Sequence, residues 1–62
     1  MRRMKYKYYV DVAYLNTEKD EIQLDYLETL AYSATEASKD VVEYLEKFPN
    51  ITHTIITAVA RA

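Results

Sequence analysis

The chain has 62 residues, no cysteine, no glycine and a formal net charge of −2 at pH 7. It fits a single small domain, residues 1–62, with a limited core, because a chain this short buries only about 60% of its unfolded surface. The composition excludes disulfides, thiolate metal sites and glycine-rich phosphate loops, and the net charge gives no general attraction to nucleic acid or anionic lipid.

Residues 5–15 are predicted to form the first strand, because apolar and polar side chains alternate with a period of two. One face carries Tyr6, Tyr8, Val10, Val12 and Tyr14, and the other carries Lys5, Lys7, Tyr9, Asp11 and Ala13. The polar stretch 16–21 follows and predicts a loop longer than a two-residue turn. Within it, Asn16 or Asp20 is expected to take a left-handed conformation.

Residues 22–32 are predicted to form a second strand whose phase changes near Leu27 and Glu28. Two sets of residues compete for its buried face: Ile22, Leu24, Tyr26, Leu30 and Tyr32 in one set, and Leu27, Thr29 and Ala31 in the other. A bulge at Leu27–Glu28 would reconcile the two sets, and the sequence alone leaves this choice open.

Residues 34–48 are predicted to form the one helix. Ser33 suits the N-cap position, and Glu36, three residues later, is placed to reach back to the Ser33 amide and complete a capping box. Apolar residues recur at spacings of three and four, which predicts a buried stripe of Ala34, Ala37, Val41, Tyr44, Leu45 and Phe48. Pro49 is expected to end the helix near Phe48.

Residues 51–60 are predicted to form a third strand, which is rich in β-branched residues and contains no Asp, Glu, Lys or Arg. The resulting layout is ββαβ, an α+β fold with a three-stranded, mainly antiparallel sheet and a helix on one face. We expect the strand order 2-1-3, and the alternative places the third strand parallel to the second. The expected core residues are Val10, Val12, Leu24, Val41, Leu45 and Ile55.

This layout, a hairpin followed by Ser-Ala-Thr-Glu-Ala at 33–37 opening a helix and then a strand, resembles that of many small proteins from phages and mobile elements. The resemblance covers most of the chain and rests on non-specific motifs. It implies a mobile-element origin and no particular activity.

The sequence also bears on location. The basic start of the chain precedes no apolar run of signal-peptide type, and no stretch approaches the ~18 apolar residues of a membrane span. With the absence of cysteine, these features lead us to expect a cytoplasmic protein without a membrane partner.

No pattern in the sequence predicts a catalytic, cofactor or metal site. His53 is the only histidine, and we interpret it as a capped or solvated strand residue. Glu18, Asp20 and Glu21 form an acidic turn that lacks the pattern of a calcium loop, including its glycine. We therefore expect a non-enzymatic protein that works through its surface, as an interaction or regulatory protein.

One group of residues suggests an alternative, a nucleic-acid-binding module. Basic side chains near the N-terminus can meet phosphates while an aromatic ring stacks on a base. The candidate contacts are Arg2, Arg3, Lys5, Lys7 and Tyr9. The alternation of the strand places Tyr9 alone among the nearby tyrosines on the face that carries Lys5 and Lys7.

The third strand suggests self-association. In the order 2-1-3 it lies at an edge without the charged residues that usually guard one, and a single helix covers only one side of the sheet. We expect a homodimer held through this edge, through the uncovered face, or both, and an unidentified protein partner is compatible with the same surface. The predicted interface consists of Tyr9, Ala13, Ile56, Ala58 and Ala60.

Overall fold

The structure of the protein is a computed structural model that describes residues 3–62. Its elements are β1 (Tyr6–Asn16), β2 (Glu21–Ala31), α1 (Ala34–Leu45) and β3 (Ile51–Arg61). The strands form one sheet in the order β2-β1-β3, and both neighbouring pairs are antiparallel. The predicted ββαβ fold and sheet order are thus confirmed.

The register between β1 and β2 settles the phase of β2. The two strands pair continuously from Tyr6 opposite Ala31 to Asn16 opposite Glu21, and no bulge interrupts the paired residues 6–31. Because directly paired residues share a face, Leu27 lies with Val10 on the side of the helix. The prediction that Leu24 belongs to the core was wrong, since a strand without a bulge must place Leu24 on the opposite side from Leu27.

The irregularities lie in β3 instead. Its register against β1 shifts between Asp11 and Val12 and again between Ala13 and Leu15. Ile56 therefore pairs with Val12 and packs against the core, whereas Ile55 pairs with Ala13 and is 61% exposed. The sequence prediction placed Ile55 in the core and Ile56 on the uncovered face. Both placements were wrong, because an extra residue in a bulged strand reverses the alternation beyond it.

The core lies between α1 and one face of the sheet. Its buried residues are Tyr8, Val10, Val12, Ala31, Ala37, Val41 and Leu45. The three helical members recur at spacings of four, so they line one side of α1. Tyr14, Leu27, Ile51, Ile56 and Val59 pack around them and are partly buried.

Both ends of α1 follow from local hydrogen bonding. The Glu36 amide donates to Ser33 Oγ at 3.2 Å, and Glu36 Oε1 accepts from the Tyr32 amide at 3.4 Å rather than from the expected Ser33 amide. At the other end the last turns tighten, since the Phe48 amide donates to the Leu45 carbonyl. The helix thus ends three residues earlier than predicted, and Phe48 lies outside the buried stripe.

The loop between β1 and β2 is held by Asn16. Its Oδ1 accepts from the amides of Glu18 at 3.0 Å and Lys19 at 3.3 Å, and its Nδ2 donates to Gln23 Oε1 at 3.0 Å. Asp20 takes the left-handed conformation expected in this loop, with φ of 53°. These bonds fix the turn that sets the β1–β2 register.

Candidate interaction surface

The sheet has a second face, on the side away from α1, which we call the open face. It consists of Lys7, Tyr9, Asp11, Ala13 and Leu15 from β1, Ile22, Leu24, Tyr26, Glu28 and Leu30 from β2, and Thr52, Ile55, Ala58 and Ala60 from β3. In the part of the chain that the structure describes, no element covers this face.

The open face exposes large apolar side chains. Leu24 and Ile22 are 80% and 76% exposed, and the other exposed members with large side chains are Tyr9, Tyr26, Leu30 and Ile55. Single exposed apolar residues are normal on protein surfaces, but a contiguous group of this kind marks an interaction site or an aggregation hazard. This surface is the strongest candidate for a functional site.

Apolar character is concentrated at the end of the open face near the β1–β2 loop. The register places Leu24, Ala13 and Ile55 side by side across the three strands, and Ile22, Leu15 and Thr52 form the next row towards the loop. We call these two rows the apolar end. A shallow concavity of about 230 Å³ lies there and is lined by Ala13, Tyr14, Leu15, Ile22, His53 and Ile55.

Charged residues occupy the other rows. Asp11 lies between Tyr26 and Ala58 in the middle row. At the far end, Lys7 Nζ lies 3.5 Å from Glu28 Oε2, and about half of each side chain remains exposed. An exposed pair of this kind adds little to stability, but it neutralises the charge at that end of the face.

The residues predicted for a dimer interface divide between the two faces. Tyr9, Ala13, Ala58 and Ala60 lie on the open face, as expected, whereas Ile56 lies under the helix. Sequence reasoning omitted the large members Ile22, Leu24, Tyr26, Leu30 and Ile55. Two of these, Leu24 and Ile55, it assigned to the core. Both faces of β2 carry apolar residues, so its own sequence contains no signal that would have separated them.

The edge of β3 is less open to pairing than its sequence indicated. The two register shifts interrupt the strand, and His53 lies within the second one with φ of 56°. Bulges at an edge twist it away from a straight incoming strand and so discourage pairing. Of the two modes of association predicted from the sequence, packing through the open face is therefore favoured.

The described candidate nucleic-acid contacts have different partners in the structure. The Arg3 guanidinium lies 4.3 Å and Lys5 Nζ lies 5.3 Å from the centre of the Tyr32 ring. Lys7 lies on the open face beside Glu28, and Tyr9 is the direct β2 partner of Glu28. Arg2 lies outside the described residues. The basic side chains are thus divided between an aromatic ring and a carboxylate.

His53 and the acidic side chains are the remaining candidates for a chemical role. His53 is exposed, and its Nδ1 lies 3.0 Å from Thr52 Oγ1. Within residues 3–62, the structure contains no cluster of three or more His, Cys, Asp or Glu side chains suited to holding a metal ion. The helix described in the same residues has neither the length nor the apolar character needed to cross a membrane.

No protein-family model, curated protein or solved structure matches this chain.

Proposed function

We propose that the protein is a small non-enzymatic interaction or regulatory protein that acts as a homodimer through its open face. The observation that carries this proposal is the group of exposed apolar residues in the two rows of the apolar end, above all Leu24 and Ile22. Burying these side chains against a partner is favourable by about 25 cal/mol per Å² of apolar surface.

A second copy is the partner that this face fits best. A two-fold contact uses the same patch on both copies, so an apolar patch with its charges kept to one side is suited to pairing with itself. The domain is small and has no disulfide, since the chain contains no cysteine. A second copy would supply apolar contacts that a core of this size cannot provide alone.

The expected dimer is weak. With strands about 4.8 Å apart and a rise of about 3.3 Å per residue, the face of a sheet with three eleven-residue strands measures roughly 500 Å² in projection. The face available for contact is therefore limited, and association should depend on protein concentration.

Light scattering on the unmodified protein tests the proposal directly. We expect the mass to rise from near the 7.3 kDa of one chain towards twice that value as the concentration increases from micromolar to hundreds of micromolar. A constant monomer mass over this range would contradict it. Leu24→Asp should keep the protein monomeric, because association would bury an unpaired charge.

A matched variant controls for the added charge. Thr35→Asp adds one carboxylate on the exposed side of α1, away from the open face, and should leave association unchanged. Circular dichroism of both variants must match that of the unmodified protein. If both variants dimerise alike, the open face is not the interface.

A nucleic-acid-binding function is the second candidate, supported by Arg3 and Lys5 converging on the Tyr32 ring. A gel-shift titration at two salt concentrations tests it. Binding through phosphate contacts weakens steeply with salt and would weaken further in the Arg3→Gln/Lys5→Gln double variant. Binding that is absent at low salt would exclude this function.

The proposed setting is the cytoplasm, as an accessory protein of a phage or mobile element. Its support is the ββαβ layout, which resembles that of small proteins from such elements, and the lack of cysteine. Affinity capture from a native host would test it by identifying a partner besides the second copy.

A further inference from the structure

β2 forms an edge of the sheet that lacks the usual protection of an edge strand. It pairs with β1 alone, and no other strand lies beside it among residues 3–62. Its eleven residues pair without a bulge and include no Pro or Lys. Unlike β3, whose register shifts twice, β2 therefore presents a regular row of backbone donors and acceptors to an incoming strand.

The direction of the backbone groups in β1 follows from one hydrogen bond. The Ala62 amide donates to the Lys7 carbonyl at 2.9 Å from the side of β3. Because the direction alternates along a strand, Val10 and the other even-numbered residues in this part of β1 direct their backbone groups to β2. Leu27, the partner of Val10, is therefore bonded into the β1–β2 ladder.

The residues of β2 on either side of Leu27 direct their backbone groups to the free edge. These residues are Tyr26 and Glu28, because the same alternation applies to β2. The Tyr26 amide agrees with this assignment, since it donates to Asp25 Oδ1 at 2.8 Å. The free edge beside Glu28 thus offers an amide and a carbonyl in the spacing of a β-ladder.

A groove lies beside the same edge, between β2 and α1. It has a volume of about 450 Å³ and is lined by Tyr26, Leu27, Glu28, Thr29, Asp40, Val41 and Tyr44. On the helical wall, Val41 is buried, Asp40 is half-buried and Tyr44 is half exposed. A strand added to the edge would direct every second side chain into this groove, because side chains alternate between the two faces of a sheet.

The charge of the groove favours a basic occupant. Asp40 lies on its helical wall, and the one ion pair within residues 3–62 joins Lys7 to Glu28, so no described basic side chain is paired with Asp40. An arginine from an added strand would lay its apolar stem along Val41 and Tyr44 and bring its guanidinium to the carboxylate. A guanidinium also stacks favourably on an aromatic ring, which Tyr44 supplies.

No strand of a second copy offers such a side chain at a free edge. β2 contains no Lys or Arg, and the only basic residue of β3 is Arg61, at its last position and 4.5 Å from the centre of the Tyr6 ring. β1 carries Lys7 but lies in the middle of the sheet. Pairing β2 with its own copy would bring further carboxylates, those of Asp25 and Glu28, and no cation.

We propose that the edge of β2 binds a basic peptide of a different protein by strand addition, antiparallel to β2, with an arginine side chain in the groove against Asp40. In complexes of this kind, main-chain hydrogen bonds supply affinity, and pockets for alternate side chains supply specificity. The site uses the strand edge and the helix side of the sheet. It therefore goes beyond the proposed self-association through the open face and does not depend on it.

A dye-labelled peptide, Thr-Val-Thr-Arg-Thr-Val-Thr, tests the proposal on the unmodified protein. In a strand, its valines and arginine lie on one face and its threonines on the other, so the arginine can enter the groove while the threonines pair with β2. Fluorescence anisotropy measures the dissociation constant. Replacing the arginine by glutamate should weaken binding about tenfold or more, because a charged contact with Asp40 is lost. Failure of the arginine peptide to bind at millimolar concentration would overturn the proposal.

N-methylation of the peptide distinguishes strand addition from other modes of binding. In the proposed pair, the threonines lie opposite Tyr26 and Glu28 and direct their own amides to β2. Methylating two threonine amides should weaken binding about tenfold, because two main-chain hydrogen bonds are lost. Methylating the amides of the arginine and one valine, which point away from β2, should leave the dissociation constant unchanged. Equal losses from the two modifications would overturn strand addition.

Asp40→Asn tests the charge of the occupant. It keeps the shape of the side chain and should weaken binding of the arginine peptide about tenfold. Glu46→Gln is the control, since Glu46 carries the same charge at the exposed C-cap of α1 and should not contribute to binding. Equal effects of the two variants would indicate a general attraction to an acidic protein and would overturn the basic occupant assigned to the groove.

Amide hydrogen exchange locates the peptide and detects a competing occupant. Binding should slow exchange of the Glu28 amide, which faces the free edge, more than that of the Leu27 amide, which is already bonded to β1. Peptide binding that leaves the exchange of Glu28 unchanged would overturn the proposed site. Protection of Glu28 that appears without peptide as the protein concentration rises would show that a second copy occupies the edge, and would also overturn the proposal.

Discussion

Leu24 lies directly opposite Ala13 in the β1–β2 pair, and its side chain is 80% exposed. The neighbouring residue of β1, Val12, is buried beneath α1. The two faces of the sheet thus carry apolar residues of similar size, although α1 covers only one of them. This asymmetry, rather than any single residue, is the physical reason to expect a partner.

Self-association should appear in the unfolding equilibrium. Because a dimer that forms only from folded chains stabilises them by mass action, the urea midpoint of the unmodified protein should rise with protein concentration. The midpoint of Leu24→Asp should stay constant over the same range. Equal concentration dependence in both proteins would show that Leu24 lies outside the contact.

The helix contributes to stability through one side only. Leu45 is buried, whereas its neighbour Tyr44 is 47% exposed and packs edge-on against Phe48. Leu45→Ala should lower the free energy of unfolding by about 2–5 kcal/mol, and Tyr44→Ala should cost clearly less. Urea denaturation in the Leu24→Asp background measures both changes without interference from association. Equal costs would mean that Leu45 and Tyr44 are equally buried against the sheet, so that α1 presents a different side to it.

The helix and the strand order could be predicted because each depends on local pattern. Ser33, Glu36 and the spacing of Ala37, Val41 and Leu45 define α1 by hydrogen bonding and periodicity within one segment. The sheet order follows from short connections between the elements. These features need no knowledge of which residues meet across the sheet.

The membership of the open face could not be predicted, because it depends on register. In β2, both Leu24 and Leu27 are plausible core residues, and only pairing with Val10 assigns Leu27 to the core. In β3, the shifts opposite Asp11–Val12 and Ala13–Leu15 exchange the expected faces of Ile55 and Ile56. A bulge leaves no mark in a sequence without glycine, so these positions were misassigned.

Asn16 should contribute more to the free energy of unfolding than its position at the end of β1 suggests. Its buried side chain accepts two amide hydrogen bonds from the loop and donates one to Gln23. Asn16→Ala should cost about 1–3 kcal/mol of unfolding free energy, because the amides of Glu18 and Lys19 lose their acceptor.

Two further variants separate the contribution of the bonds that Asn16 Oδ1 accepts from that of the bond that Nδ2 donates. Asn16→Asp keeps the acceptor oxygen, and Gln23→Ala removes only the partner of Nδ2, so both should cost less than Asn16→Ala in the same urea measurement. If Gln23→Ala costs as much, the bond to Gln23, and not the loop amides, accounts for the contribution of Asn16.

Replacing His53 with glycine, a residue type that the chain lacks, should relieve backbone strain. His53 has φ of 56° in β3, in the left-handed region where a side chain other than glycine is unfavourable by roughly 1–2 kcal/mol. His53→Gly removes that cost, but it loses the exposed contact with Thr52 and gives the unfolded chain more freedom. We expect a net gain of up to about 1 kcal/mol.

Asp20→Gly, at φ of 53°, should gain less than His53→Gly, because the short polar side chain of aspartate can hydrogen-bond locally in the left-handed conformation. Thr54→Gly, the adjacent position in β3, should instead destabilise the protein by about 0.5–1 kcal/mol. Thermal denaturation of the three variants in the Leu24→Asp background compares them directly. If His53→Gly lowered the melting temperature as much as Thr54→Gly, the left-handed conformation at His53 would not be a source of strain.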